Sequence, residues 1–238
     1  MKIMKLVTLL AVLISQIFCI SYAQAKNKLV FSTIEGSVNA EVSSLIMVEA
    51  YKRIGFEIEI MPLPGKRTLA ISNSGQVDGE LFRLEGINKK WSNLIPVSVP
   101  INFMEGVVIT KGKSFNVEGW ESLKPYRIGI RRGIRFTESG TKGMSREIAD
   151  SNASLFKMLD YERVEAIVVT RSNGLKMMKA PDFSGFKMLE PSVEIYPLFH
   201  YLHVKHKEMI PRVQAVLQGM QKEGLFQKIR NQVLHDLK

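Results

Sequence analysis

Short apolar runs and stretches with apolar residues every three or four positions take turns along this chain. Residues 28–33 are a compact run of the buried-strand kind, and the turn residues Ile34, Glu35, Gly36 and Ser37 follow it. Val42, Leu45, Ile46, Ala50 and Ile54 then fall on one helical stripe, with Asn39 as the expected cap and Gly55 as the stop. Residues 57–61 alternate as a second strand, so the opening predicts a β-α-β unit with parallel pairing. A Pro-Gly loop at residues 62–67 leads into a helix over 68–73 and a third strand over 78–83. Prolines at 96 and 100 mark residues 95–100 as an edge or crossing segment, and 103–110 read as an apolar strand.

A second unit of the same kind begins after Pro125. Residues 126–130 read as a strand, 134–144 as a loose helix, 153–159 as a helix and 164–169 as an apolar strand ending at Thr170 and Arg171. Further strands are expected at 187–189 and 196–204. Ile210, Val213, Leu217 and Met220 share one helical face, and after Gly224 so do Phe226, Ile229, Val233 and Leu237.

The N-terminus changes the picture of where this chain works. Lys2 and Lys5 precede an apolar run over 6–20, and Ala23-Gln24-Ala25 is a small-x-small cleavage site, the pattern of a secretory signal peptide cut after Ala25. Cys19, the only cysteine, lies inside that leader, so the mature chain has no disulfide and relies on its core. Losing Lys2 and Lys5 lowers the formal charge from +10 to +8. For an exported chain without an aromatic-interleaved basic motif, that sign points to an anionic small ligand or surface and not to nucleic acid.

Candidate chemistry gathers at strand ends. Glu80 and Arg83 close the third strand, where neither is buried without a partner. Arg83 offers a planar fork to a ligand carboxylate with Glu80 positioning it, or the two form a structural ion pair; both readings stand. Arg67 brings a second guanidinium on the adjacent loop, and Thr170 and Arg171 occupy the matching place in the second unit, with Arg131 and Arg132 at the end of its first strand. His200, His203 and His206 do not form a metal set, because on a strand His200 and His203 face opposite ways. No cofactor motif is present.

Four motifs carry a family resemblance: Gly75-Gln76-Val77-Asp78-Gly79; Leu123 with Tyr126-Arg127-Ile128-Gly129-Ile130-Arg131-Arg132-Gly133; Arg163-Val164-Glu165-Ala166; and Glu223-Gly224-Leu225-Phe226-Gln227-Lys228-Ile229. In this order the chain resembles the extracytoplasmic solute-binding proteins of polar amino acid uptake, family 3. The resemblance implies an α/β, type II periplasmic binding protein-like fold of two lobes: residues 26–106 with 202–238, and residues 112–195, joined by hinge strands at 107–111 and 196–201. It implies a periplasmic, monomeric protein that closes on a small ligand and serves an inner-membrane ABC permease or a sensor. Ligand contacts are expected from Arg83, Glu80, Arg67, Glu35, Thr170, Arg171 and Arg132. The family's acidic contact for a ligand ammonium falls at Thr170, followed by Arg171, which moves the expected ligand from an α-amino acid toward a carboxylate or diacid. The second reading is an enzyme of the same fold, dehydratase- or lyase-like, acting on a small organic acid with Glu80 or Glu35 as acid or base.

Overall fold

Apolar runs become strands and periodic segments become helices in the order β1 (Lys28–Ile34), α1 (Val38–Arg53), β2 (Glu57–Leu63), α2 (Gly65–Asn73), β3 (Gly79–Leu84), β4 (Leu94–Lys111), β5 (Ile128–Arg131), α3 (Arg135–Gly140), β6 (Arg146–Ala149), α4 (Asn152–Asp160), β7 (Ala166–Thr170), α5 (Arg171–Met178), β8 (Phe186–His203), α6 (Ile210–Lys222) and α7 (Leu225–His235). The computed structural model describes residues 28–183 and 185–235, so the leader read at residues 1–25 lies outside the described residues. Among the described residues no helix is long and apolar enough to cross a membrane.

All eight strands form one mixed sheet in the order β2-β1-β3-β8-β4-β7-β5-β6. β1 pairs in parallel with β2 and β3, and β5 in parallel with β6 and β7, as the two β-α-β patterns predict. Between these parallel sets run β4 and β8, each 18 residues long and antiparallel to one another. The strands expected separately at 187–189 and 196–204 are thus one strand. Its partner β4 supplies carbonyls and amides along the whole length, and register shifts between Pro96 and Pro100 absorb the prolines. Residues 94–105 pair with β8, and β7 joins β4 only from Gly106 onward, so the proline-bearing part is an edge of the first half, as its sequence predicts.

Two local expectations change. α1 starts at Val38 from an extended Ser37, so Asn39 is an interior residue whose carbonyl and Oδ1 lie 3.4 Å from Asn102 Nδ2. α3 stops at Gly140, where the Trp120 indole packs so closely that an added Cβ would sit 2.2 Å from it.

Burial divides the hydrophobic residues into clusters. One joins β1, α1, β3, the first part of β4, the last part of β8 and both C-terminal helices. Two others lie among residues 107–193, one containing Val107 and Ile109 and the other Val108. Alternating residues of β4 thus serve opposite faces of the second half. The changeover falls between Met104 and Val107 on β4 and between Val193 and Leu198 on β8, with Met104 touching both cores. Val107, Val108 and Ile109 are fully buried and pair with β7, so most of the stretch expected as the first hinge strand is core of the second half.

The first core contains a buried polar device. His200, on β8, packs edge-on against Phe31 and accepts at Nε2 from the Tyr51 hydroxyl at 2.9 Å while Nδ1 donates to Leu81 O at 3.1 Å. Complete burial pushes its pKa down to about 4 from 6.5. A folded-state pKa below the unfolded one gives stability that is whole above pH 6.5 and lost as pH falls toward 4, about 3 kcal/mol in all. Urea titrations across pH 4–7 are expected to show this acid limb in wild type and a flatter one in His200→Gln.

Candidate functional site

The parallel strands of both halves run toward the crossover, so their C-terminal tips bring the ends of β1, β3, β5 and β7 to one side of each half-sheet. Glu80, the second residue of β3, is fully buried. Its Oε2 accepts from Ser32 Oγ at 2.8 Å and Ser72 Oγ at 3.1 Å, and Oε1 lies 2.7 Å from Arg83 Nη2. The same Arg83 nitrogen donates to Gly65 O at 3.0 Å and to Thr68 Oγ1, tying the tip of β3 to the first turn of α2. Burial raises the Glu80 carboxyl above the usual range, against the pull of Arg83 and the hydroxyls, and burial lowers the pKa of Arg83. Of the two readings of this stretch, the geometry matches the structural ion pair: the Nη2 side of the fork is spent inside the protein. Glu80 meets no solvent, whereas Glu35, the other acid of the enzymatic reading, is exposed.

On the other half, Thr170 caps α5 through Oγ1, 3.4 Å from the Asn173 amide. Arg171 reaches across β4 to β8. Its Nη1 and Nη2 donate to the two Glu190 oxygens at 2.6 and 2.8 Å, Nη2 also donates to Ser192 Oγ at 3.1 Å, and Nε lies 3.0 Å from Glu105 Oε2. The same Glu105 oxygen takes Arg230 Nη2 of α7 at 2.6 Å, while Arg230 Nη1 donates to Asn102 Oδ1 at 2.7 Å and Phe103 O at 3.0 Å. Two guanidinium groups hold the Glu105 carboxyl below the usual range despite its burial. Glu105, Arg230 and Glu190 were not among the expected site residues. Two were legible: Glu105 is the lone acid in the apolar run 103–110, and Arg230 sits on the stripe of Phe226 and Val233, so both required partners.

The remaining candidates lie outward. Arg132 pairs with Asp150 at 2.7 Å with both side chains mostly in solvent, and Gly133 N–H donates to Glu138 Oε1 rather than standing open. Arg67 and Glu35 are exposed. Among the described residues no group of three His, Cys, Asp or Glu side chains is placed to hold a metal ion.

Among the described residues four buried side-chain polar atoms have no hydrogen-bond partner, and their positions are informative. Thr33 Oγ1, Arg83 Nε and Arg131 Nε belong to the tips of β1, β3 and β5 respectively; the fourth is Glu80 Oε1, already in its ion pair. An arginine Nε–H donates only, so at two of these tips a donor has no acceptor within the protein. A separate apolar cavity of about 380 Å³ lies beside the crossover, between Phe103, Ile195, Pro197 and Phe226.

No family model matches the chain. It is 25% identical over 198 residues to an uncharacterised protein of Shewanella oneidensis, covering 80% of this chain and 75% of that one. An amino acid ABC transporter substrate-binding protein of Streptococcus pneumoniae bound to L-arginine superposes with a TM-score of 0.60 at 15% identity, over 90% of this chain and 97% of that one. A histidine kinase sensor domain with similarity to periplasmic binding proteins gives 0.61 at 15% identity, over 87% and 96%. The fold is that of the type II periplasmic binding proteins. In this binding-protein fold the two half-sheets are lobes, and β4 and β8 are the segments that link them.

Proposed function

We propose that this chain is an extracytoplasmic binding protein that captures a small carboxylate-bearing solute between its two lobes, for uptake through a membrane permease or for sensing. The observation that carries the reading is the set of guanidinium groups at the strand tips, Arg131 at the end of β5, Arg83 on β3 and Arg171 just beyond β7, in a chain of net charge +10. A carboxylate supplies acceptors for these groups, and it does so best when both lobes contact it, which favours the closed form. The hinge belongs at residues 104–107 and 193–198, where the cores change over. Arg131 takes the role expected of Arg132, with Thr170 and Arg171 on the same lobe and Arg67, Glu35 and Arg83 opposite. The leader read at residues 1–25 agrees with a periplasmic location, from which the protein meets its membrane partner.

The sensor domain among the similar structures supports a sensing role as much as transport. The test is a thermal-shift and calorimetric panel of monocarboxylates, dicarboxylates and amino acids. Carboxylates are expected to stabilise the protein. Arg131→Ala is expected to weaken the best of them by about 10- to 150-fold, the worth of one charge-assisted hydrogen bond, while Arg132→Ala changes little. Stabilisation by cationic or neutral compounds alone would overturn the proposal.

A further inference from the structure

We infer that Glu190 is the resident occupant of a carboxylate site built on Arg171, and that a ligand carboxylate enters this site by displacing it. The inference deepens the binding function proposed above and rests on it. Arg171 is the first residue beyond β7, at the tip of a parallel strand. Its side chain is 17% exposed, whereas the carboxylate it grips with both terminal nitrogens, Glu190, is 60% exposed. A half-buried fork therefore grips a tenant that stands mostly in water.

The fork is held without that tenant. Arg171 Nε rests on Glu105 at 3.0 Å, Glu105 is anchored by Arg230 at 2.6 Å and accepts from Ser192 Oγ at 3.1 Å, and Arg230 is stacked 3.7 Å over the Phe103 ring. Arg171, Arg230 and Glu105 together carry one net positive charge, so the cluster requires a further anion. Glu190 provides it from solvent, where an ion pair is worth little, and a ligand carboxylate presents the same two oxygens to the same two donors. Ser192 Oγ accepts from Arg171 Nη2 at 3.1 Å while donating to Glu105, which holds the fork in place beside Glu190. The exchange of one carboxylate for another leaves the cluster neutral at each end point.

The experiment titrates sodium acetate, at ionic strength fixed with chloride, while the Arg171 guanidinium resonances are followed by NMR in wild type, Glu190→Gln and Arg171→Gln. If Glu190 fills the fork about nine-tenths of the time, its removal is expected to raise the apparent acetate affinity about tenfold, because the competent fraction rises by that factor. Arg171→Gln is expected to abolish the acetate-dependent shifts of the neighbouring Ser192 amide. Identical titrations of wild type and Glu190→Gln would overturn the inference, as would Arg171 resonances indifferent to acetate in both. Carboxylates that still protect wild type thermally in that case leave the binding function standing. Absence of protection by any carboxylate, in wild type and in Glu190→Gln, removes both.

Discussion

Glu80→Ala is expected to destabilise the protein by about 3–5 kcal/mol, because it leaves Arg83 charged and buried with no carboxylate. The side chains of the pair are 0% and 12% exposed, so solvent screens little of that loss. Ser32 and Ser72 also lose their acceptor, and the link from the tip of β3 to Gly65 and Thr68 loses its counter-charge. The direction of both pKa shifts, set by burial in each partner, says that the pair is tolerated rather than strongly favourable. The double replacement Glu80→Leu with Arg83→Met is therefore expected to recover most of the loss. Urea midpoints of the three proteins decide the matter; a single Glu80→Ala within about 1 kcal/mol of wild type would show that the charge finds another partner.

Gly79→Ala is expected to prevent folding at ordinary temperature. A Cβ at residue 79 would stand 2.1 Å from the Tyr201 carbonyl oxygen and 3.0 Å from Leu202 Cα, both backbone atoms of β8. Residue 79 is the first of β3 and is opposite Leu202, so relief means opening the β3–β8 ladder where it starts. Strain of that kind belongs with the few substitutions that cost more than about 4 kcal/mol. Gly219→Ala is the matching control, since nothing crowds its Cβ in α6, and there alanine is expected to add about 0.5–1 kcal/mol. Circular dichroism of the purified variants separates the two outcomes at once.

Residues 28–61, 126–169 and 210–235 were legible because their elements follow a period: Val42, Ile46 and Ala50 are buried on α1, though Leu45 of the same stripe is exposed, and Val213, Leu217 and Met220 are buried on α6. The long strands were harder to read. Pro96, Pro100, Pro191 and Pro197 interrupt what a periodic pattern needs, and only the pairing of β4 with β8 keeps those segments continuous. Arg83 and Arg171 were visible as cations at strand ends, yet their orientation depends on acids far away in sequence, such as Glu105 and Glu190. Glu80 was near enough to read, and its ion pair was one of the two alternatives its spacing allowed. Arg132 and Arg131 are neighbours on an alternating backbone, so sequence could not say which faces inward; Arg131 has the buried Nε and Arg132 the solvent.

Because the last part of β8 stands between β3 and the first part of β4, the first lobe has no complete sheet from one contiguous stretch of chain, whereas the strands of the second all fall within residues 106–194. A fragment that stops before Phe186 would hold every parallel strand yet present β3 with a bare rim, the kind of surface that recruits stray strands from other molecules. A single cut in the chain therefore cannot yield two self-sufficient pieces. During synthesis the first lobe must therefore wait, half-assembled, until β8 has emerged, with the rim of β3 open to wrong pairing in the meantime.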